Sequence, residues 1–289
     1  YILLTGACFG TIGVLVKLIG DSMPFVSINF FRVFLGFIFL ILIVPFLDKK
    51  MFKITKRDLK DYMLIGLIFA LSTALFTAAS LLTTIQNLTF INSTYPFFVF
   101  IFAYFMLGEK VTWVKMVTLL IAIAGIAVIN PFSMNSNILG NILVGIVAIL
   151  FALLVTEMRK EDKDHGIGDV AWFMFFASLF LFPFPLIYGF GEISKVWIPL
   201  LILGFVSTGL AYLLFNLGLQ KLEAETASII NIIVTPLVAI PLAFFLVNEE
   251  ITPRVILGGA ILISAGIYLQ LENRRIRKKR ERQMEIAKS

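Results

Sequence analysis

The segment Ile91–Thr112 reads INSTYPFFVFIFAYFMLGEKVT, and a second segment, Asn231–Thr252, reads NIIVTPLVAIPLAFFLVNEEIT. An offset of 140 residues aligns Pro96 with Pro236, and the glutamates that end the two apolar runs align as well. A new apolar run follows each copy. Self-similarity at a fixed spacing indicates an internal duplication. We therefore predict that the chain consists of two related halves.

The composition is typical of a membrane protein. Of the 289 residues, 60% are apolar and only 15% are charged, and the mean hydropathy is +0.99. Soluble domains are about half apolar and about a quarter charged. In lipid, every backbone polar group must find its hydrogen bond within the protein. The long apolar runs therefore predict an all-α membrane protein.

Ten apolar runs approach the length of about 20 residues that a membrane-spanning helix needs. We predict ten transmembrane helices in two inverted five-helix repeats, 1–131 and 138–271. Because five is an odd number, the second repeat enters the membrane in the opposite sense to the first. The ten runs are 1–19, 25–47, 61–83, 89–107, 113–131, 138–158, 170–190, 197–219, 226–246 and 254–271.

Basic residues are concentrated in alternate connections. With the N-terminus inside, the even-numbered connections and the C-terminal segment are cytoplasmic, and together with the adjoining start of the run 113–131 they hold 20 of the 24 Lys and Arg residues. This bias predicts a multi-pass protein of the cell membrane with both termini in the cytoplasm. Segment 273–289 holds eight of these basic residues and two glutamates. We predict a basic cytoplasmic tail that contacts anionic lipid, and we expect no nucleic-acid partner.

The chain offers little material for catalysis or metal binding. Its one cysteine is Cys8 and its one histidine is His165, which excludes disulfides and cysteine-based metal sites. The phosphate-binding, zinc-protease and serine-hydrolase motifs are absent from the sequence. We expect no enzyme, no cofactor and no bound ATP. An ion gradient with a coupling proton or ion, exchange, or the gradient of the substrate would supply the energy.

The aligned prolines and glutamates are candidates for hinges or locks. A proline inside a helix removes a backbone donor and kinks the helix. Pro96 and Pro236 have two open interpretations, as packing kinks or as parts of a cavity wall. Glu109 and Glu249 end their helices, where a carboxylate interacts unfavourably with the helix dipole. We expect a cation, or donors at the start of the next helix, to compensate each one as a structural lock.

Polar side chains recur every three or four residues in corresponding helices of the two halves, so each set shares one helix face. Interhelical hydrogen bonds, worth about 0.6 kcal/mol each, are one interpretation. A shared polar cavity with aromatic walls is the interpretation that we favour. The predicted substrate-pathway residues are Arg32, Thr73, Phe76, Thr77, Ser80, Asn92, Tyr95, Trp172, Tyr212, Asn216, Asn231 and Thr235.

Charged residues within the apolar runs need a reason, because a charge at the bilayer centre costs about 2.5–3.5 kcal/mol on insertion scales. Arg32 either attracts an anionic group of a substrate or serves structurally, by bonding helix-end carbonyls or reaching the interface. Lys17 is expected to reach the interface. Glu157 is expected to pair with Arg159 or Lys160 rather than to carry a coupling proton.

The segments Leu210–Thr252 and Ala78–Thr112 resemble the hallmark segments of the EamA family, in the drug/metabolite transporter superfamily. The resemblance implies ten helices, cytoplasmic termini, two inverted repeats and export of small metabolites such as amino acids. It also implies a cavity surrounded by helices 1–4 and 6–9, with helices 5 and 10 peripheral. One departure is Asn248–Glu249, where the family usually has Gly–Glu; Gly108–Glu109 keeps the pattern.

These observations favour a secondary transporter of a small organic metabolite that works by alternating access between the repeats and moves its substrate outward. The first alternative is an importer or exchanger of a nucleotide-sugar or phosphorylated metabolite, which predicts several cations in the cavity. A second is a scaffold or subunit that transports nothing and has a dry centre. A third, a membrane-embedded enzyme acting on lipid, would need clustered acid, base or metal ligands.

Overall fold

The structure, a computed structural model, describes residues 1–47, 56–109, 112–129, 138–161, 168–248 and 253–286. Within these ranges all regular structure is helical, as predicted, and eight helical spans are long and apolar enough to cross a membrane. Two shorter apolar helices, Trp113–Val128 and Ile256–Tyr268, accompany them. The count of ten spans and their inverted arrangement stay predictions. In chain order the helices are α1 (Ile2–Gly20), α2 (Phe25–Leu47), α3 (Lys56–Leu82), α4 (Ile85–Asn92), α5 (Tyr95–Phe102), α6 (Trp113–Ile129), α7 (Ile138–Glu161), α8 (Asp169–Leu181), α9 (Pro183–Tyr188), α10 (Ile193–Leu201), α11 (Ala211–Leu219), α12 (Ala224–Val247) and α13 (Pro253–Ile286).

The outer surface carries large apolar side chains. Phe46, Phe105, Phe245 and Ile256 are between 71% and 86% exposed. Exposed apolar area on this scale marks a surface that another apolar medium covers. Together with the apolar spans, it fits a protein surrounded by lipid.

Contacts between helix ends show which ends lie on the same side of the molecule. Arg159, in the last turn of α7, contacts Glu109 and donates to the carbonyl of Leu219 at the end of α11. The backbone N–H of Ala224, where α12 begins, donates to Glu109 at 3.1 Å. We call this side the Glu109 end. The positive-inside prediction places it in the cytoplasm.

The opposite side is formed by the other ends of the same helices, and we call it the Ser22 end. The N–H of Glu192 donates to the carbonyl of Ser22 at 2.8 Å, just after α1. Thr83 Oγ1, just after α3, donates to Asn141 Oδ1 in the first turn of α7 at 2.8 Å. α1, α3, α7 and α12 therefore each run from one end of the molecule to the other.

The two aligned proline segments fold differently. Pro96 lies in the first turn of α5, because the predicted run 89–107 breaks at Ser93 and Thr94 and its helix starts earlier, at Ile85. A proline fits the first turn of a helix, where its missing N–H removes no internal hydrogen bond. Pro236 lies inside the unbroken helix α12. A hinge role for either proline stays a prediction.

Two stretches have the wider π-helical turn, which sequence propensities do not show. They are Ala103–Leu107, after α5, and Ile202–Leu210, between α10 and α11. In the second stretch the hydroxyl of Thr208 donates to the carbonyl five residues earlier, that of Leu203, at 2.8 Å. π-helical turns inside helices are frequently found at functional sites.

Helix α13 continues through most of the basic segment, to Ile286. Lys, Arg and Glu are good helix formers, and Arg275 pairs with Glu272 three residues earlier at 2.5 Å. Residues 287–289, together with Glu249 and His165, lie outside the described ranges. Contact between this segment and anionic lipid stays a prediction.

Candidate functional site

A cavity lies between the two halves of the chain. Its lining includes seven of the twelve residues predicted for a substrate pathway. Those seven are Arg32, Thr73, Phe76, Asn92, Tyr212, Asn231 and Thr235, and the remaining lining residues are Phe9, Ile12, Ser72, Val147 and Phe151.

Arg32 supplies the charge of this cavity, since the other eleven described lining residues are neutral. It is only 2% exposed. Its Nε donates to Thr208 Oγ1 at 3.0 Å, and its guanidinium carbon lies 5.9 Å from the centre of the Phe76 ring. Its Nη1 is buried and, within the described part of the chain, donates to no atom. A buried guanidinium with an unused donor is suited to an anionic group.

Polar side chains from both halves meet across the cavity. Asn231 Nδ2 donates to Tyr95 Oη at 3.0 Å, and Tyr95 Oη donates to the carbonyl of Ser228 at 3.2 Å. Thr235 Oγ1 lies 3.4 Å from Asn231 Oδ1. Asn92 Oδ1 is buried and accepts no hydrogen bond. The cavity region therefore holds both an unused donor, on Arg32, and an unused acceptor, on Asn92.

A second chamber adjoins the first and shares Asn92 and Asn231 with it. Tyr95, a predicted pathway residue, lines this chamber. Its lining extends to Gly13 and Ile85, and Ile85 begins α4 near the Ser22 end. The two chambers together extend from the middle of the helices toward the Ser22 end.

Four aromatic side chains, Phe9, Phe151, Tyr212 and Phe215, form an aromatic cluster on the opposite side of the cavity. Phe9 lies with its ring centre 5.0 Å from that of Tyr212 and 5.9 Å from that of Phe215. Phe151 stacks on Phe215 at 6.3 Å. On α11 the cavity lining stops at Tyr212, about two turns before that helix ends at the Glu109 end. The path is therefore closed on this side.

Four other predicted pathway residues lie outside both chambers. Thr77 and Ser80 each donate to the carbonyl four residues earlier in α3, at 2.8 Å. Trp172 packs edge-on against a neighbouring phenylalanine. Asn216 accepts a hydrogen bond from Gln220 at 3.4 Å. The polar stripe of α11 thus continues past the cavity toward the Glu109 end, and a transport role for these four residues stays a prediction.

Glu109 has both kinds of partner that a carboxylate at a helix end needs. Its Oε1 lies 3.4 Å from Arg159 Nε, and its Oε2 accepts the N–H of Ala224. The donor belongs to the start of α12 rather than to the start of the next helix, α6. A helix N-terminus favours negative charge, so Glu109 joins the first half of the chain to the second.

The sequence matches the family model described as the EamA-like transporter family over residues 1–130 and again over residues 138–271. The chain belongs to the EamA-like transporter family. The resemblance of the two proline–glutamate segments to EamA proteins is thereby confirmed. Family membership and the apolar helices together make it a multi-pass membrane protein.

Relatives of this EamA protein are named as transporters. An uncharacterized transporter of Bacillus subtilis, YoaV, is 26% identical over 249 residues, which cover 82% of this chain and 84% of the relative. An uncharacterized transporter of Archaeoglobus fulgidus is 27% identical over 275 residues, which cover 93% and 94%. An S-adenosylmethionine uptake transporter of Rickettsia prowazekii is 24% identical over 260 residues, which cover 89% and 86%.

The fold of this EamA chain also resembles a solved protein. The similarity to one crystal structure has a TM-score of 0.78 at 13% sequence identity, and it covers 95% of this chain and 97% of that one. At such low identity the similarity shows the shared fold alone.

Several residues of the site are absent from the sequence predictions. Phe9 and Phe151 line the cavity, but among 30 phenylalanines they carry no distinguishing signal. Ser72 was overlooked because it stands next to the stripe of α3. Lys115 and Glu225 form a buried contact of 3.4 Å at the Glu109 end. Each of these two charged residues stands in the first turn of an apolar helix, and this position was the signal for the pair in the sequence.

Proposed function

We propose that this EamA protein is a secondary transporter that moves a small organic metabolite across the cell membrane. The observation that carries the proposal is the cavity between the two halves, where Arg32 is buried and its Nη1 is unused. Charge-assisted hydrogen bonds to an anion are among the strongest that a protein makes. A metabolite with a carboxylate, such as an amino acid, suits this donor.

The rest of the cavity suits such a substrate. Asn92 Oδ1 offers an unused acceptor for an amine or hydroxyl group. Phe76 and Phe151 add aromatic walls, against which a cationic or apolar part of the substrate gains contact. With Arg32 as the one cation among the described lining residues, the cavity is less suited to a nucleotide-sugar or polyphosphate, which would require several cations.

Helix packing supports alternating access between inverted repeats. α1 packs on α12 and on α11, and α7 packs correspondingly on α5 and on α3. When each helix is replaced by its counterpart in the other half, the contacts of α1 become the contacts of α7. Inverted repeats place a substrate site at their interface, and rocking of one repeat against the other exposes that site to each side in turn.

We propose outward transport, from the cytoplasmic Glu109 end to the Ser22 end, toward which the chambers extend. The observation in favour of the alternative, uptake, is the S-adenosylmethionine uptake transporter among the relatives.

A scaffold that transports nothing would not need a cavity with an unused buried guanidinium.

The test combines binding with transport. Purified protein is screened by thermal shift against a metabolite panel, and each hit is measured for uptake into sealed vesicles without ATP, from either side. We expect hits that carry an anionic group, and concentration-driven uptake that Arg32→Ala abolishes. Hits that the vesicles fail to transport, or transport that needs ATP, would contradict a secondary transporter.

A further inference from the structure

Glu225 is a carboxylate with an unusual environment at the Glu109 end of the path. It is 0% exposed and lies in the first turn of α12. Its Oε2 lies 3.4 Å from Lys115 Nζ. Its Oε1 is buried and accepts no hydrogen bond from the residues that the structure describes. An ionised oxygen that is buried without a donor is strongly disfavoured, so this position favours a carboxyl group that carries a proton.

The group that interacts with Glu225 from the first half of the chain is a second carboxyl. Glu109 lies beside Glu225, because its Oε2 accepts the N–H of the preceding residue, Ala224, at 3.1 Å, and its side chain is itself only 9% exposed. Two carboxyl groups in contact repel each other when both are ionised and attract when they share one proton. A shared proton supplies the donor that Glu225 Oε1 otherwise lacks.

The charges around the pair are balanced by one proton. Three carboxylates, Glu109, Glu223 and Glu225, face two cations, Lys115 and Arg159. Lys115 also lies 2.5 Å from Glu223, whose side chain is 54% exposed. On the neighbouring elements, Glu157 pairs with Lys160, Glu272 pairs with Arg275, and Lys221 lies over the ring of Tyr1.

The 140-residue offset relates Glu109 to Glu249 but relates Glu225 to no carboxylate of the first half. Glu225 corresponds to Ile85, and Glu223 corresponds to Thr83. Ile85 is buried and lines the second chamber. The pair of buried carboxyls therefore distinguishes one end of the path from the other.

We propose that Glu225 and Glu109 form a proton-binding site that holds the Glu109 end closed, an inference that rests on the proposed transport function. While this end is closed, one proton is bonded to Glu225 and shared with Glu109. When α12 separates from Glu109 and Arg159, water enters and the carboxylic O–H bond breaks. The proton leaves to water as hydronium in the compartment at that end.

The direction of the pH effect follows from proton counting. The closed form binds one proton more than the open form, so acid favours closing and alkali favours opening. For one proton released, the opening equilibrium shifts about tenfold per pH unit. The shift ends at the pH where the closed form also loses its proton.

The test measures opening without any substrate. Ala227 is 0% exposed and lies in α12 near Glu225, so Ala227→Cys in a Cys8→Ala background reports opening by its reaction with a water-soluble thiol reagent. The labelling rate of the purified full chain is measured across pH with and without Glu225→Gln. Gln keeps the shape of a neutral carboxyl. At each pH the labelling rate of the protein with Glu225 is divided by the rate of the Glu225→Gln variant, and this ratio cancels the effect of pH on the ionisation of the reporter thiol.

We expect this ratio to rise about tenfold per pH unit from acid toward neutral pH. The control is Glu272→Gln, at a carboxylate outside the site, whose labelling rate should depend on pH as that of the parent does. Glu109→Gln should abolish the same rise, which provides a second variant if Glu225→Gln fails to fold. If the ratio of parent to variant is independent of pH for both Glu225→Gln and Glu109→Gln, the proposal is overturned. A pH-independent ratio in a protein that transports overturns this inference alone, whereas a protein that keeps the pH-dependent ratio but transports nothing overturns the proposed function.

Discussion

At the scale of single residues, Arg32 is held in place by a hydroxyl that a π-helical turn positions. Thr208 Oγ1 donates to the carbonyl of Leu203 and accepts from Arg32 Nε at 3.0 Å. The guanidinium is thus oriented by one hydrogen bond, while its Nη1 remains unused. Because burying this charge in lipid is costly, the geometry favours a binding role over a purely structural one.

Replacing Arg32 with Ala should weaken substrate binding. A hydrogen bond to a charged group is worth about 1.5–3 kcal/mol, which corresponds to roughly a 10- to 150-fold loss of affinity. The measurement is the dissociation constant of a transported substrate for purified protein. Arg254→Ala, at an exposed arginine, is the matched control and should bind normally. Equal affinity in both variants would remove Arg32 from the substrate site.

Replacing Tyr95 with Phe should lower thermal stability. The hydroxyl of Tyr95, which is 1% exposed, joins Asn231 of the second half to the first. Its loss removes the acceptor of the buried Asn231 amide N–H, at a cost of about 1–3 kcal/mol. The unfolding temperature in detergent should fall. It should stay unchanged for Tyr104→Phe, since Tyr104 is 59% exposed. Identical melting of the two variants would contradict the interhelical bond.

Sequence reasoning found the polar part of this site better than the apolar part. Thr73 and Tyr212 stand out because polar residues are rare inside apolar helices. Phe9, an aromatic residue in an apolar run, has no such contrast. Glu225, at the start of a helix, looks like an ordinary acidic residue favoured by the helix dipole, and its contact with Lys115 depends on helix packing that no local pattern contains.

At the scale of helices, the contact between α1 and α12 depends on small residues. A Cβ at Gly10 would lie 2.7 Å from the carbonyl oxygen of Thr235, and one at Gly6 would lie 2.8 Å from Val234 Cβ. Small residues let membrane helices approach closely. The close approach brings Asn231 and Thr235 to the cavity, so packing of this pair determines the shape of the site.

Gly10→Ala should destabilise the protein, because the added methyl group has no space between α1 and α12. Overpacking costs about 1–3 kcal/mol, which thermal unfolding in detergent would detect as a lower midpoint. Gly145→Ala is the matched control, since a Cβ there would meet no atom within 4 Å. If Gly10→Ala melts at the same temperature as Gly145→Ala, the two helices are packed less closely than described.

The sequence predicted the helices well because an apolar run needs no periodicity to be recognised. The break between α4 and α5 was missed, although a signal was present: the residue before a proline is disfavoured in helical conformation, and Ser93 and Thr94 stand just before Tyr95–Pro96. The π-helical stretch Ile202–Leu210 packs against α2, and the sequence has no comparable signal for it.

At the scale of the whole molecule, the distribution of basic residues predicts that the Glu109 end faces the cytoplasm. A tag attached after Ser289 should be accessible to an impermeant reagent only in opened cells, whereas a cysteine at Lys195, whose side chain is 67% exposed, should react in intact cells. A tag at the C-terminus that reacts in intact cells would contradict the predicted orientation.

Alternating access requires that one cavity between the two halves is exposed to each side of the membrane in turn. The most direct measurement is labelling of a single cysteine at Thr73, in a Cys8→Ala background, by an impermeant thiol reagent in right-side-out and in inside-out vesicles. Alternating access predicts labelling from both sides, with protection by a transported substrate in both cases. Labelling from one side only, whether or not substrate is present, would contradict it.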